Sequence, residues 1–376
     1  MFRVLLDNLR RIAAALLLLI AVPCVVEVAL RVQRCRQKVV HASSMTTELV
    51  QPHRQTLFEA PPHFKQTLIE EETGIEFELR LNSFGLRSNT EVTVPRPAEL
   101  TRVLVLGDDA IFGAELPVTS TLPSILQEML QQRSQLPIEV LNGSMPRGCP
   151  TLSLLQLQHR FAALQPQLII LHVDFSDLAD EEAIVRYVRH DNDGHAVAAM
   201  HPSLGLKSNA SRELDAEFLA LQWLREGLSR EWLSSLPDGQ SPLGRRTDFA
   251  AWNDVDSPES QVALQQMLQS IIDLHQLANR LSAELIVTTA PSAWQLAAML
   301  EKMDATNSSM ETLSPAAAQQ LANILHETCR TNGIRLIDRN LFIPPNHRPG
   351  PFLTLCSPGR YSAAGHRLTP NPLTPP

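Results

Sequence analysis

The sequence is short of glycine and of positive charge, and each shortage excludes a class of function. It has 15 glycines against 27 prolines, a balance that indicates stiff connections and few of the glycine-rich loops that bind phosphates. Its formal net charge is −8, and it has no basic stripe that would neutralise the phosphates of a nucleic acid. No nucleic-acid partner is therefore expected.

Cysteine is also scarce, and its positions are scattered. No two cysteines have C-x-x-C spacing, which argues against a zinc site, and neither a metal nor another cofactor is predicted. Simple buried thiols are favoured, and a disulfide among the last three positions is left open. The five positions are Cys24, Cys35, Cys149, Cys329 and Cys356.

One long hydrophobic run is present, from Ile12 to Leu30. At about 1.5 Å per residue, a helix over this run is about 28 Å long, close to the thickness of a bilayer's hydrocarbon core. Glu27 is its only charge, and no small-x-small cleavage site follows, so an uncleaved anchor is favoured over a signal peptide or a buried core helix. Because arginines flank the run on both sides, the positive-inside rule separates the orientations poorly. We expect a single-pass membrane protein whose main domain lies on the exocytoplasmic side.

Beyond residue 100, short apolar strands alternate with helices. This alternation predicts an α/β fold in which a mostly parallel sheet is covered by helices on both faces. The expected strands are Arg102–Leu106, Ile138–Leu141, Leu168–Val173, Glu284–Thr288 and Ile334–Ile337, and the expected helices include Ser120–Gln132, Leu152–Leu164 and Pro315–Thr331.

The chain of 376 residues, 44% of them apolar, suits one large domain with appendages. The predicted parts are a membrane anchor (1–32), an irregular linker with an edge hairpin near Ile75–Asn89 (33–100), the α/β domain (101–368) and a proline-rich tail (369–376). A helical insertion is expected inside the domain at about 178–281.

Five short sequence blocks lie at the ends of the predicted strands and helices. Gly107–Gly113 (GDDAIFG) resembles the G-D-S-x-x-x-G block of the SGNH, or GDSL-type, hydrolases, whose serine is the nucleophile. Asn82–Arg87 resembles the N-x-x-G-x-R piece that precedes this block in bacterial membrane-anchored members. Val140–Gly143, Asp174–Asp177 and Gly359–His366 resemble the second, third and last blocks. The resemblance implies a three-layer α/β/α sandwich of SGNH, flavodoxin-like type.

The residues that carry catalysis in that family are replaced. Asp109 holds the position of the nucleophile, Arg360 that of the catalytic histidine and Pro358 that of its aspartate partner. A guanidinium stays protonated and cannot act as a base, and proline has no side-chain acceptor. A histidine six residues after Arg360, His366, could replace the base, although in the family the second histidine is structural.

The expected oxyanion donors are altered too. The asparagine of the third block aligns with Ser176, and the donor glycine of the second aligns with Arg147, while Gly148 is one position away. Asp109 could attack as a carboxylate, but the favoured interpretation is that it caps the helix that follows, since aspartate is a preferred N-cap residue.

Four acidic residues should meet at the carboxyl edge of the sheet, where such folds bind their ligands. Asp108, Asp109, Asp174 and Asp177 could hold Ca²⁺ or Mg²⁺ there, or they could pair with Arg147 and Arg360 as a salt-bridged plug. The plug is preferred because it needs no external ion. The run His190–His195 (HDNDGH) resembles a metal site, but its Asp-Asn-Asp-Gly core is first of all a turn.

Three hypotheses of function remain open at this point. The leading one is a catalytically inactive homologue kept at the membrane as a binding or assembly component, with an acylated or carbohydrate ligand in the cleft. The second is an esterase or O-acyltransferase that acts on acylated glycans or lipids with an unconventional site. The third is a degraded or misassembled reading frame, suggested by the proline-rich end.

Overall fold

The computed structural model describes residues 39–41, 49–69, 76–204, 254–289 and 315–338, and the single helical positions Val22, Val25 and Val26. The chain divides into two compact units, Met1–Val39 with Gly205–Ser241, and Val40–Leu204 with Pro242–Pro376. The second unit contains nearly all of the described residues and holds the central sheet. The predicted domain boundaries stay predictions.

The elements follow one another in this order. The strands are β1 (Val39–His41), β2 (Gln51–Pro52), β3 (Phe58–Glu59), β4 (Lys65–Ile69), β5 (Glu76–Arg80), β6 (Thr101–Leu106), β7 (Ile138–Asn142), β8 (Leu168–Val173), β9 (Val188–His190), β10 (Ala196–Ala199), β11 (Glu284–Thr289) and β12 (Arg335–Asp338). The α-helices are α1 (Asp109–Phe112), α2 (Leu122–Gln131), α3 (Pro150–His159), α4 (Ser176–Ile184), α5 (Pro258–Arg280) and α6 (Pro315–Thr331).

The central sheet has five strands in the order β12-β11-β8-β6-β7, and every neighbouring pair in it is parallel. Numbered along the chain, these strands run 2-1-3-4-5 across the sheet, which is the flavodoxin-like, doubly wound order. The mostly parallel α/β fold predicted from the sequence is confirmed, and all five predicted strands are present within two residues of their expected bounds.

Helices cover both faces of this sheet because its strands are apolar on both sides. Along β6, Leu104 and Leu106 face one hydrophobic core, while Val103 and Val105 face another. This alternation follows from the two-residue period of a strand. The first core includes Leu154 of α3, Ile271 of α5 and Leu325 of α6, and the second includes Leu126 and Leu130 of α2.

The predicted helical insertion at about 178–281 is only partly helical. Helix α4 ends at Ile184, and an antiparallel hairpin of β9 and β10 follows before α5 begins at Pro258. The hairpin turn is the Asp191–Gly194 run, in which Asp191 Oδ1 accepts from the backbone N–H groups of Asp193 and His195. The helical interpretation was wrong here, while the interpretation of this run as a turn is confirmed. Residues 205–253 of the insertion lie outside the described residues.

The edge hairpin lies earlier in the chain than predicted, because the expected segment Ile75–Asn89 contributes one strand, β5, whose partner is β4 (Lys65–Ile69). Strands β4 and β5 pair in antiparallel register, and their buried Leu68 and Leu79 form a core with Phe112 of α1. Residues 49–100 are therefore more than an irregular linker, because part of this segment supports the turn that carries Asp109.

No helix among the described residues is long and apolar enough to cross a bilayer. The predicted anchor, Ile12–Leu30, lies almost wholly outside those residues and stays a prediction.

Candidate functional site

The candidate site lies where the strand order of the sheet reverses, between β6 and β8. Asp108 and Asp109 follow the carboxyl end of β6, and Asp174, Ser176 and Asp177 follow the carboxyl end of β8. Doubly wound folds bind their ligands in the crevice at this point of the sheet. The structure therefore places these five predicted site residues at one edge, as the block order predicted.

Asp108, and not Asp109, caps the first helix of the site. The Oδ1 atom of Asp108 accepts from the backbone N–H of Ala110 at 2.9 Å, and Asp109 is the first residue of α1. The helix ends at Gly113, whose φ of 64° is the left-handed conformation that glycine adopts at little cost. The predicted cap was displaced by one residue, which leaves the side chain of Asp109 directed to another partner.

That partner is the loop of the second block. The backbone N–H of Arg147 donates to Asp109 Oδ2 at 3.2 Å, and Arg147 has a φ of 56°. A non-glycine residue in this conformation is strained by roughly 1–2 kcal/mol. Arg147 thus has a backbone conformation that suits glycine, the residue that the resemblance aligns with it. Its N–H is directed at the side chain of Asp109.

Gly148 has a different role, which is close packing. A Cβ atom at this position would lie 2.3 Å from the carbonyl oxygen of Gly107, so only glycine lets the second-block loop approach the first-block turn. The backbone N–H of Met145 donates to that same carbonyl at 3.1 Å. Arg147, not Gly148, is therefore the residue whose N–H donates to the side chain of Asp109.

The guanidinium of Arg147 forms an ion pair that the sequence did not predict. Its Nε donates to Asp180 Oδ1 of α4 at 2.9 Å, and both side chains are largely buried. The predicted plug placed this guanidinium against the four edge aspartates, whereas the ion pair that the structure shows for it is with a different acid, Asp180. Pro358, Arg360 and His366 lie outside the described residues, so the other half of the predicted plug stays a prediction.

Ser176 lies between two carboxylates. Its hydroxyl is 2.6 Å from Asp174 Oδ1 and 3.1 Å from Asp108 Oδ2, and its backbone N–H also donates to Asp174 Oδ1 at 2.6 Å. A hydroxyl has one proton to donate, so Ser176 is committed to this pair of acids. Ser176, which the resemblance aligns with the oxyanion-donating asparagine, is fully buried. Its hydroxyl is directed into the floor of the site.

The acidic residues of the site are buried together. Asp109 is the most exposed of the four predicted aspartates at 8%, and Asp177 is 1% exposed. Burial, followed by the charges of Asp108 and Asp174, raises the pKa of Asp177 well above its ordinary value. Within the described part of the chain, no group of three or more side chains is arranged to hold a metal ion.

Sequence reasoning also missed Glu181, a further acid of the site, which bonds to α3. Its Oε1 accepts from the backbone N–H of Thr151 at 2.7 Å, in the first turn of α3. Burial raises the pKa of Glu181 to about 7. A helical spacing was the available signal, because Asp177, Asp180 and Glu181 are three and four positions apart and therefore share one face of a helix.

The N-x-x-G-x-R piece is a buried clamp on the first-block turn. Asn82 Oδ1 accepts from the backbone N–H groups of Phe84 and Leu86, which shapes the turn that leads to Arg87. The guanidinium of Arg87 donates to the carbonyl oxygens of Phe112, at 2.5 Å, and of Gly113 and Leu116. The clamp therefore fixes the end of the helix that begins with Asp109.

Gly85 of this clamp is also explained by its surroundings. It has a φ of 70°, and a Cβ atom there would lie 2.5 Å from the carbonyl oxygen of Ala60. Burial lowers the pKa of Arg87 to about 9, so its guanidinium remains charged at neutral pH.

Among the described cysteines, Cys149 and Cys329 are free and buried. Burial is the main reason that the pKa of Cys149 lies well above its ordinary value. The predicted buried thiols are confirmed at these two positions, and Cys356 lies outside the described residues.

Comparison with known proteins gives matches among solved structures. No family model and no curated protein matches the chain. The solved structures to which it is similar include two described as GDSL-type proteins and one described as an acetylxylan esterase. A protein described as a lipolytic protein of the G-D-S-L family from Desulfitobacterium hafniense DCB-2 is 11% identical, with a TM-score of 0.38 over 72% of this chain and 97% of that one.

Two further structures give similar values. A GDSL-like lipase from Bacteroides thetaiotaomicron VPI-5482 is 10% identical, with a TM-score of 0.36 over 74% of this chain and 87% of that one. An acetylxylan esterase from Geobacillus stearothermophilus is 10% identical, with a TM-score of 0.38 over 71% of this chain and 90% of that one. At this level of similarity these names describe those proteins and show no function for this chain.

Proposed function

We propose that this chain is a membrane-anchored, SGNH-hydrolase-like protein that has lost catalysis and serves as a binding or assembly component. The observation that carries the proposal is the hydrogen bond from the backbone N–H of Arg147 to Asp109 Oδ2. In an ester hydrolase of this type, the nucleophile would be a hydroxyl and such an N–H would stabilise the developing oxyanion. Here the carboxylate of Asp109 accepts the hydrogen bond from the Arg147 N–H, so that donor is already used.

The second expected donor is occupied in the same way. The hydroxyl of Ser176 is engaged by Asp174 and Asp108, so its one proton is already used within the protein. Hydrolysis also requires a base that takes the proton of the nucleophile and a third group that orients the base. Arg360 and Pro358, at the positions of those groups, supply neither function.

The binding half of the proposal rests on the family resemblance and on the predicted anchor. The anchor would hold the domain at a membrane, as a single-pass protein with this domain on the exocytoplasmic side, and the cleft would take an acylated glycan, an acylated lipid or another carbohydrate. A thermal-shift titration with an acetylated oligosaccharide and its deacetylated form tests this half. Stabilisation by the acetylated form supports a ligand of this class, and stabilisation by neither would contradict it.

Catalytic inactivity is tested with purified full-length protein and p-nitrophenyl acetate. Wild type, Asp109→Ala and the control Asp193→Ala, which changes an exposed acid of the hairpin turn, should all match the buffer rate. Asp109→Ser should match it too, because a serine hydroxyl without a base is a weak nucleophile.

The competing function is an esterase or O-acyltransferase in which Asp109 attacks as a carboxylate. Its acyl-aspartate intermediate would be a mixed anhydride, and the aligned positions provide no general base to resolve it. Hydrolysis that survives purification, is abolished in Asp109→Ala and is retained in Asp193→Ala would establish this second function instead.

A further inference from the structure

Two acids on α4 have a buried oxygen that receives no hydrogen bond from the described part of the chain. Asp177 Oδ2 accepts from the backbone N–H of Asp174 at 2.7 Å, and Glu181 Oε1 accepts from that of Thr151 at 2.7 Å. The other oxygen of each, Asp177 Oδ1 and Glu181 Oε2, is buried and has no hydrogen-bond partner among the described residues. Asp177 is 1% exposed and Glu181 0%, so these oxygens are shielded from bulk water.

The titratable groups around this pair are mostly acidic. Asp108 after β6, Asp174 after β8 and Asp180 on α4 itself all raise the pKa of Asp177 by repulsion. Asp180 acts on Glu181 in the same sense, and the thiol of Cys149, at the start of α3, lies against Glu181.

The remaining neighbours bring little positive charge to the pair. The guanidinium of Arg147 is paired with Asp180. Helix α5, which packs on α4, contributes the neutral hydroxyl of Ser270, which is 2.7 Å from the hydroxyl of Thr151. The charged neighbours that bear most directly on Asp177 and Glu181 are therefore other carboxylates.

An ionised carboxylate with a buried, unsatisfied oxygen is unstable, and neighbouring carboxylates make it more so. We propose that Asp177 and Glu181 bind protons at neutral pH, and that their release as the pH rises is a switch that weakens the packing of α4 against α3. Burial is the main reason that the pKa of Asp177 lies well above its ordinary value and that the pKa of Glu181 is about 7. At acidic pH, α4 would then stay packed against α3, and at alkaline pH this packing would weaken.

The direction of the effect follows from proton linkage. Between pH 4.5, the ordinary pKa of glutamic acid, and about 7, the folded protein holds a proton on Glu181 that the unfolded chain has lost. Stability contributed by this proton is complete below pH 4.5, falls through the window and is absent above about pH 7. Because the window spans about two and a half pH units, the unfolding constant should rise by up to about 300-fold for this group alone.

The test compares wild type with Glu181→Gln, whose carboxamide stays neutral at every pH. Full-length protein in detergent micelles is unfolded with urea between pH 4.5 and 8 and followed by circular dichroism. The ratio of the wild-type unfolding constant to that of Glu181→Gln should rise by up to about 300-fold from pH 4.5 to 7 and level off above. Glu182→Gln, on the same helix turn but partly exposed, should give a constant ratio. Parallel curves for wild type and Glu181→Gln would overturn the proposal.

A second measurement covers the case in which Glu181→Gln fails to fold. Infrared spectroscopy of the folded wild type reports the C=O stretch of protonated carboxyl groups directly. A protonated-carboxyl band that persists at pH 7 and shrinks by pH 9 is the expected result. If the folded wild type has no such band at pH 7, the two acids are ionised and the proposal is wrong.

Discussion

Arg87 connects the segment that follows the β4–β5 hairpin to the turn that carries Asp109. It is 2% exposed, it donates to three carbonyl oxygens around the end of α1, and its guanidinium carbon lies 5.5 Å from the centroid of the Phe112 ring. Because it holds the end of the helix that begins with Asp109, it acts on the site without touching its centre.

Arg87→Met should destabilise the protein by about 3 kcal/mol, because buried carbonyl oxygens would lose a charged donor. The free energy of unfolding in urea measures this loss. Arg80→Met is the matched control, since Arg80 is exposed on β5 and a surface change of this kind has a small effect. Equal losses in the two variants would show that the clamp does not stabilise the turn.

At the level of residues, the sequence predicted where the acids lie better than it predicted their partners. Asp108, Asp109, Asp174 and Asp177 meet because the carboxyl ends of parallel strands share one edge, which block order alone implies. The choice of Asp108 as the cap depends on the backbone angles at the start of α1, and the ion pair of Arg147 with Asp180 depends on how α4 is turned toward the second-block loop. Both depend on the tertiary structure, which residue spacing does not determine.

Among the elements, the β9–β10 hairpin is attached to α5 by a histidine–aspartate pair. His195 Nδ1 lies 2.8 Å from Asp273 Oδ1, and the side-chain amide of Gln269 donates to that same carboxylate oxygen at 2.8 Å. The hydrogen bond with Asp273, and then its charge, raises the pKa of His195 above 6.5. The contribution of this pair to stability is therefore complete below pH 6.5 and is lost as the pH rises through the higher, folded-state pKa.

Removing the carboxylate of Asp273 should lower the pKa of His195 toward its ordinary value. In Asp273→Asn the pKa of His195, followed by NMR titration of the imidazole resonances, should fall toward 6.5, because the two largest causes of the increase are removed. Glu259→Gln, which changes an exposed acid in the first turn of the same helix, should leave it in place. A pKa of His195 that is the same in wild type and Asp273→Asn would mean that the hairpin is attached in another way.

The elements also show where pattern reasoning stops. Helix Pro315–Thr331 and strand Leu168–Val173 were predicted with the bounds that the structure gives them, because their apolar periodicity agrees with their flanking residues. The β9–β10 hairpin was included in a helical region, although its turn was recognised between β-like segments, because each strand is only three or four residues long. A strand that short carries too few alternations to outweigh the helical pattern on either side.

For the whole molecule, the α/β core was predictable from the sequence. The attachment to a membrane stays a prediction. The core follows from apolar strands that alternate with helices. The predicted anchor precedes the described core, so it must be examined in the intact chain.

Full-length protein should remain in the membrane pellet after carbonate extraction, because the run Ile12–Leu30 is long enough to span the hydrocarbon core. A variant that lacks residues 1–32 should move to the supernatant. Release of the full-length protein by carbonate would contradict the anchor, and retention of the shortened variant would place the attachment elsewhere in the chain.

The central claim is that the site contains no activated nucleophile, and the most direct measurement of it is the intact mass of the protein after exposure to an activated acyl ester. A nucleophile that attacks an ester acquires the acyl group before water removes it. The account predicts that wild-type protein, quenched rapidly in acid after mixing with p-nitrophenyl acetate, keeps its unmodified mass. A single acyl adduct that maps to the peptide carrying Asp109, and that disappears in Asp109→Ala, would contradict it.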